Sequence, residues 1–143
     1  MPAALVRTVR EAAEAAYPDE SCGLLIGRQE PDGATRIGAV EPAANVATGS
    51  RRDRFAIDPR VQFALMRRLR GSGERMIGHY HSHPDYVATP SEHDLAMAFE
   101  PDLVWLITSV VAGRAVDIRA WMPDLAAGRF RALALHIGEP GSP

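Results

Sequence analysis

The chain has 143 residues, 46% of them hydrophobic and 24% charged, a balance typical of globular proteins that excludes disordered and collagen-like chains. Its formal net charge of −2 indicates no surface for nucleic acid or for an anionic membrane, so neither is an expected partner. No apolar run approaches the roughly 20 residues of a membrane-spanning helix. The first residues lack a signal-peptide pattern and Cys22 is the single cysteine, so we expect a cytoplasmic protein.

Apolar periodicity and turn residues predict a mixed α+β chain with helices interleaved among strands. We expect residues 1–138 to form one domain and residues 139–143 to be a frayed C-terminal tail. In chain order, the predicted elements are a helix over 3–16, strands over 22–27 and 35–40, a brief strand over 54–57, a helix over 58–70, a strand over 76–82, a helix over 91–99, and strands over 103–110, 115–121 and 130–137.

Three of the five histidines, His79, His81 and His83, lie within or directly after the predicted strand over 76–82. Alternate residues of a strand point to the same face, so His81 and His83 project side by side, as two imidazoles that share one metal ion must. Pro84 then ends the strand because it cannot donate to a ladder. An isolated His-x-His pair is also common in strands that bind nothing, so the pair alone does not establish a metal site.

A carboxylate follows in Ser91-Glu-His-Asp94. The intervening loop is long enough to fold back, which would give two histidines, one aspartate and a free fourth position, the layout of a catalytic zinc site. Two other interpretations stay open at this point. Ser91 with an acid three residues later is also a helix capping box, and His79 shares the face of the other histidines, which makes it an alternative ligand to Asp94.

A hydrolytic metal site also needs a general base. The upstream candidate is Glu20, which directly precedes the predicted strand over 22–27. From its position alone, Glu20 is better explained as an ordinary exposed acid in a loop. Cys22 is likewise better explained as a small buried strand residue than as a redox or metal-binding group.

The histidine segment resembles the signature of the JAMM (MPN-plus) metalloprotease family. His81-Ser-His83-Pro84 is followed after six residues by Ser91, and after two more by Asp94, which is the family's His-x-His-Pro and Ser-x-x-Asp at the family's spacing. Glu20-Ser-Cys-Gly-Leu-Leu-Ile-Gly27 is similar to the family's upstream Glu-x-x-Gly-Leu-Leu-x-Gly segment.

The resemblance covers about residues 5 to 122, because Asn45-Val-Ala47 and Arg54-Phe-Ala-Ile-Asp-Pro59 are similar to a further family stretch. It implies a single MPN/JAMM-like domain of the α+β (mixed α/β) class. In that fold a curved mixed β-sheet of about six or seven strands is flanked by three helices.

The resemblance also implies a role for each residue that matches the motif. His81, His83 and Asp94 would bind Zn²⁺, and Glu20 would act as general base and pass the proton to the leaving amine. Ser91 would help to stabilise the oxyanion of the tetrahedral intermediate, as preorganised donors do. The resemblance thus favours a catalytic Glu20 over an exposed loop acid, and it argues against His79 as a ligand.

The activity that the resemblance implies is zinc-dependent hydrolysis of a peptide or isopeptide bond after the Gly-Gly tail of a ubiquitin-like or sulfur-carrier protein, by trimming or by cysteine release. The short chain is similar to the stand-alone bacterial type. A narrow groove beside the metal would bind the tail as an added strand. Tyr86 and Val87 could line this groove, although the sequence identifies no substrate-binding residue, and a homodimer stays open.

Two other functions stay open on the sequence. The chain could be a non-catalytic MPN-like interaction module, against which the intact Glu20 and the complete ligand set argue. It could also be a zinc amidohydrolase or peptidase whose substrate is unrelated to ubiquitin folds.

Overall fold

In the computed structural model, which describes residues 1–138, six strands form one mixed sheet and three helices accompany it. The expectation of a mixed α+β fold with three helices is therefore confirmed, and the predicted tail over 139–143 lies outside the described residues. The elements are α1 (Ala3–Ala16), β1 (Cys22–Gln29), β2 (Thr35–Ala43), α2 (Pro59–Leu69), β3 (Arg75–Pro84), α3 (Glu92–Ala96), β4 (Val104–Val111), β5 (Arg114–Asp124) and β6 (Arg129–Leu133).

The strands lie in the order β2-β1-β3-β4-β5-β6. Among the six strands described within residues 1–138, β3 and β4 pair in parallel, from Gly78 opposite Val104 to Pro84 opposite Val110, and the other neighbours pair antiparallel. Parallel neighbours cannot be joined by a tight turn and need a crossover connection. Here that connection contains α3, and the chain re-enters the sheet at Val104, opposite Gly78 of β3.

Helices cover both faces of the sheet centre, which explains why the strands there read as continuous apolar runs. On one face, α1 places Val9 against a cluster that includes Leu25 and Leu106. On the other face, α2 packs Leu65 against Leu24 and Ile26. Leu24 and Leu25 are neighbours in β1 and point to opposite faces, so each contributes to a different core.

The prediction of a strand over 54–57 is wrong, because this segment pairs with none of the strands of the sheet. The side chain of Asn45 takes the place of a ladder: its Nδ2 donates to Arg54 O at 3.0 Å and its Oδ1 accepts from Ala56 N at 3.1 Å. An amide side chain that bonds nearby backbone in this way competes with regular secondary structure.

Two further elements are shorter than predicted. The third helix ends at Ala96 and not at residue 99, because the chain must turn towards β4 and Pro101 disfavours helical backbone in the residue before it. The last strand ends at Leu133 and not at 137, because the chain turns to the N-terminus, where Gly138 N donates to Met1 O at 2.9 Å. Within residues 1–138, none of the helices has the length and apolarity that crossing a membrane requires.

The close approach of β3 to β4 depends on Gly78, because a Cβ added there would overlap the carbonyl oxygen of Val104. We expect Gly78→Ala to lower the free energy of unfolding by about 1–3 kcal/mol, the usual cost of overpacking, as measured by urea denaturation. The control is Gly38→Ala, since the nearest atom to an added Cβ at Gly38 is 3.9 Å away. Equal effects of the two substitutions would contradict this interpretation.

Candidate metal centre

Two histidines at the end of β3 and one aspartate on α3 place their donor atoms around a single point. His81 Nε2 and His83 Nε2 are 3.1 Å apart, and they lie 3.3 and 3.0 Å from Asp94 Oδ2. A tetrahedral metal with ligand bonds of about 2.0–2.1 Å separates its ligand atoms by about 3.3 Å. The strand parity of the histidines and the return of the chain through α3 therefore produce the spacing of a metal shell.

The hydrogen bond that His83 makes through Nδ1 directs its other ring nitrogen at this centre. His83 Nδ1 lies 2.8 Å from Val87 O and must donate to it, so Nε2 faces Asp94 Oδ2 and His81 Nε2. Histidines that bind metals commonly donate the other ring N–H in this way. Two ring nitrogens and a carboxylate oxygen that face one point are a donor set for a divalent cation, so these residues fit a metal ion.

The charges of the buried groups also suit a metal, because ligands must be deprotonated to bind one. Burial lowers the pKa of His81 below its ordinary value, which keeps the imidazole neutral. Burial by itself would raise the pKa of Asp94, but the two imidazoles beside it and the Ser91 N–H hold that pKa well below the ordinary value. The site therefore presents a charged Asp94 carboxylate beside the neutral imidazole of His81.

Glu20 also lies at this centre. It precedes Ser21, and β1 begins at the next residue. Cys22 pairs with His81, and extending this antiparallel register by two residues places Glu20 opposite His83. Glu20, His81 and His83 each offer a ligand atom, and these atoms all lie within 4.8 Å of one another. The structure therefore brings Glu20 close to the metal ligands predicted from the sequence.

The interpretation of Glu20 as an exposed loop acid is wrong, because the residue is only 3% exposed. Burial raises the pKa of Glu20 to about 9, and the negative charge of Asp94 adds to this shift. Its Oε1 is buried and has no hydrogen-bond partner among the residues that the structure describes. The carboxyl group is therefore free to take up or release a proton at Oε1.

The backbone of Glu20 is fixed by the loop between β2 and α2. Asn45 Nδ2 donates to Glu20 O at 3.1 Å, and Glu20 N donates to Arg51 O at 2.6 Å. The same loop stacks the ring of Phe55 on that of His81, with centroids 4.4 Å apart. The loop thus holds both the candidate base and one candidate ligand.

Ser91 forms the capping box that its spacing predicts. Its Oγ accepts from Asp94 N at 3.0 Å, and Asp94 Oδ2 accepts from Ser91 N at 2.9 Å. The same capping box directs Asp94 Oδ2 towards the two histidines. The geometry therefore fits the motif both as a helix cap and as the support of a candidate metal ligand. In the hydrogen bonds of residues 1–138 the Ser91 hydroxyl only accepts, which leaves its proton free to donate.

The structure does not bring His79 into the ligand cluster. Its ring packs edge-on against Trp105 with centroids 4.3 Å apart, and it lies 6.3 Å from the ring of His81. Burial lowers the pKa of His79 to about 3, so the ring is a neutral part of the sheet face. Cys22 is 2% exposed, and burial raises the pKa of its thiol to about 12, as expected for a small buried strand residue.

A largely apolar cavity of about 260 Å³ opens beside Asp94. Its floor is the sheet, and its walls are the loop before α2, α2 itself and the segment that joins α3 to β4. The sequence did not predict this cavity, because its lining comes from segments that are distant along the chain. The lining residues are Leu24, Phe55, Ala56, Ile57, Gln62, Met76, His79, His93, Asp94, Met97, Phe99, Glu100, Leu103 and Trp105.

Comparisons with known proteins agree with this geometry. The family described as "Prokaryotic homologs of the JAB domain" matches residues 2–124. The desampylase of Haloferax volcanii is 32% identical over 90% of this chain and 85% of its own length, and the CysO-cysteine peptidase of Mycobacterium tuberculosis is 29% identical over 82% and 77%. A solution structure of a protein from Desulfitobacterium hafniense superposes with a TM-score of 0.81, at 29% identity, over 96% of this chain and 91% of that one.

The chain therefore belongs to the family of prokaryotic homologs of the JAB domain. This confirms the resemblance to the JAMM (MPN-plus) family and to its stand-alone prokaryotic type. The chain is a hydrolase of the JAMM type with a site able to bind a metal cofactor.

The ligand set can be tested by metal affinity. We expect His83→Ala and Asp94→Ala each to weaken Zn²⁺ binding by more than about 100-fold, because loss of a group that merely supports a ligand already costs 10–100-fold. Competition with a chromophoric chelator measures the affinity. The matched control is His93→Ala, which removes an exposed imidazole next to Asp94.

His79→Ala separates the two ligand sets that the sequence left open. We expect it to bind Zn²⁺ within a few-fold of the unsubstituted chain, because its ring packs on Trp105 and away from the donor cluster. Normal zinc binding by Asp94→Ala together with loss of binding by His79→Ala would show that the assignment is wrong.

Proposed function

We propose that this chain is a zinc-dependent peptidase or isopeptidase that cleaves after the Gly-Gly tail of a ubiquitin-like or sulfur-carrier protein. The observation that carries the proposal is the convergence of three donor atoms within 3.3 Å, with a buried carboxyl group beside them. This arrangement combines a metal site that has a free position with a proton carrier, which are the two parts that metal-assisted hydrolysis requires.

His81, His83 and Asp94 would hold the metal. Their spacing of 3.0–3.3 Å is close to the edge of about 3.3 Å that a tetrahedral metal site requires. Two imidazoles and one carboxylate are a donor set that suits zinc. When bound, the ion would polarise a substrate carbonyl and lower the pKa of a water.

Glu20 is the general base in this proposal. Its unpartnered Oε1 would take a proton from the attacking water and later deliver a proton to the leaving amine. Burial raises the pKa of Glu20, and the positive charge of a bound metal would lower it again, so the carboxylate could take up a proton in one step and release it in the next. The hydrogen bonds that Glu20 N and Glu20 O make with the loop before α2 fix the position of this carboxyl group.

Ser91 is the candidate donor to the developing oxyanion. Its Oγ is tied to Asp94 N by the capping box, so the hydroxyl is held beside the metal ligands. A preorganised donor of this kind is typically worth about 2.7–4 kcal/mol in the transition state.

The substrate class follows from family likeness and from the names of two relatives. One relative is a desampylase and the other is a peptidase of CysO-cysteine. Both align over most of this chain, so the proposal extends their kind of substrate, a ubiquitin-like or sulfur-carrier protein, to this enzyme. The proposal also places the enzyme in the cytoplasm, because a single cysteine suits a reducing compartment.

The apolar cavity beside Asp94 is the candidate binding site for the substrate tail. Its lining includes the candidate ligand Asp94, together with Gln62 of α2 and Met97 and Phe99 of the segment after α3. Tyr86 and Val87, which the sequence offered as groove residues, are exposed in the loop before α3 and do not line this cavity.

Cleavage of a sulfur-carrier protein extended beyond its Gly-Gly tail tests the function. We expect the zinc-loaded chain to cut after Gly-Gly and a chelator to abolish the reaction, with mass spectrometry identifying the product. A zinc-loaded chain that cuts an unrelated peptide or a small amide instead would favour the alternative hydrolase, and a chain that holds no metal would favour an interaction module.

Glu20→Gln separates proton transfer from metal binding. We expect it to retain Zn²⁺ but to lower kcat by about 10²–10⁴-fold, the usual contribution of a general base. Asp19→Asn removes a neighbouring carboxylate that is not in the donor cluster, and it serves as the matched control. If Glu20→Gln cleaved at the original rate, Glu20 would not be the base.

Met97→Glu tests the cavity as the tail site. Met97 lines the cavity and is half exposed, so we expect a charge there to raise KM about tenfold or more while kcat stays near its original value. Leu95→Glu places the same charge two residues earlier, on α3 and outside the cavity lining. Equal KM values for the two variants would place the tail elsewhere.

A further inference from the structure

The loop over residues 85–90 joins the two halves of the metal centre, because His83 precedes it and Asp94 follows it on α3. The loop is short and its backbone is held by its surroundings. Three of its carbonyl oxygens accept side-chain hydrogen bonds: Tyr86 O from Ser109 Oγ at 2.6 Å, Val87 O from His83 Nδ1 at 2.8 Å, and Ala88 O from Trp121 Nε1 at 2.9 Å.

Asp85, the first residue of this loop, makes contacts with two distant segments. Its Oδ2 accepts from the Tyr17 hydroxyl at 2.6 Å, and its Oδ1 accepts from Ala112 N at 2.9 Å. Its own backbone N donates to Val110 O at 2.6 Å. The carboxylate of Asp85 therefore joins the end of α1 to the turn between β4 and β5.

The backbone at this junction is in an uncommon conformation. Within residues 1–138, Asp85 and Ala112 are the two non-glycine residues with positive φ, at 54° and 50°. Aspartate tolerates this region better than most residues, whereas alanine does not. These two residues contact each other, because Ala112 N donates a hydrogen bond to Asp85 Oδ1. A backbone conformation of this kind persists only where surrounding contacts impose it.

Tyr17 is close in sequence to the candidate base, and Asp85 is close in sequence to a candidate metal ligand. Tyr17 is three residues before Glu20, and Asp85 is two residues after His83. A hydrogen bond between them therefore spans the two backbone segments whose separation sets the distance from the base to the metal ligands. Nothing in the spacing of these residues along the chain predicts the contact.

We propose that Tyr17, Asp85 and Ala112 form a clasp that positions Glu20 against the metal ligands and holds the loop over 85–90 in register. Tyr17 and Asp85 are positioning residues, since neither touches the donor atoms. The inference rests on the proposed function, because it assigns the clasp its role in that site. Tyr17 is the C-cap of α1, so the clasp connects the end of α1 to the end of β3 that carries the candidate metal ligands.

Asp85→Gly tests the clasp without backbone strain, because glycine adopts positive φ freely and only the carboxylate contacts are lost. We expect Zn²⁺ affinity to fall about tenfold, the lower end for groups that support metal ligands. We also expect kcat to fall while KM is unchanged. The absorption spectrum of the Co²⁺-loaded protein should differ from that of the unsubstituted chain, which reports ligand geometry independently of activity.

Two further variants should change zinc affinity, kcat and the Co²⁺ spectrum by smaller amounts. Tyr17→Phe removes one hydroxyl group and keeps the ring, so it should fold and should shift the same quantities by a smaller factor. Asp85→Asn keeps an acceptor for Ala112 N and a residue that tolerates positive φ, so it should fall between Asp85→Gly and the unsubstituted chain.

Glu14→Ala is the matched control. Glu14 Oε2 accepts from Ala115 N at 2.9 Å, which also ties α1 to the start of β5 through a carboxylate, but it does not touch the loop over 85–90. We expect this variant to lower the melting temperature of the metal-free protein and to leave zinc affinity, kcat and the Co²⁺ spectrum unchanged.

The outcomes separate this inference from the proposed function. If Asp85→Gly and Glu14→Ala lowered stability alike and both bound zinc and turned over as the unsubstituted chain does, the clasp would be purely structural and the inference would be overturned. An unsubstituted chain that bound no zinc would instead overturn the proposed function, and the clasp's role with it.

Discussion

The parallel pairing of β3 with β4 is the constraint on which the metal centre depends. A strand that ended in His81-Ser-His83 and then turned back antiparallel would carry the next residues away from the histidines. Because β4 runs parallel to β3, the chain must cross over, and the crossover contains α3. The capping box at the start of α3 then aims Asp94 Oδ2 at the two imidazoles.

The antiparallel pairing of β3 with β1 supplies the other half of the site. It places Glu20, which precedes β1, opposite the end of β3. The centre is therefore formed where one antiparallel and one parallel neighbour both meet the last residues of β3. Four buried groups, two of them acids, lie together there, and a metal ion is the simplest way to balance their charges and lone pairs.

Local patterns predicted those parts of the site that depend on local geometry. Strand parity placed His81 and His83 on one face, and the spacing from Ser91 to Asp94 predicted the helix cap. Position alone gave the wrong answer for Glu20, because burial of that residue depends on the loop that Asn45 organises. Only the resemblance to a family indicated its role.

The remaining features have no local signal. The prediction of a strand over 54–57 is wrong because the side chain of Asn45 bonds Arg54 O and Ala56 N, while Ala56 O accepts from Val46 N without forming a ladder. The stacking of Phe55 on His81 and the bond from Tyr17 to Asp85 both join segments that are far apart in sequence. Such contacts follow from the tertiary fold, so composition and periodicity cannot indicate them.

X-ray absorption at the zinc edge of the metal-loaded chain would identify the metal ligands themselves. We expect two imidazole nitrogens and carboxylate or water oxygens at about 2.0–2.2 Å, with no sulfur. A sulfur neighbour at about 2.3 Å would place Cys22 in the shell, and a third imidazole would place His79 there. Either result, or a chain that takes up no zinc, would contradict the ligand set of His81, His83 and Asp94.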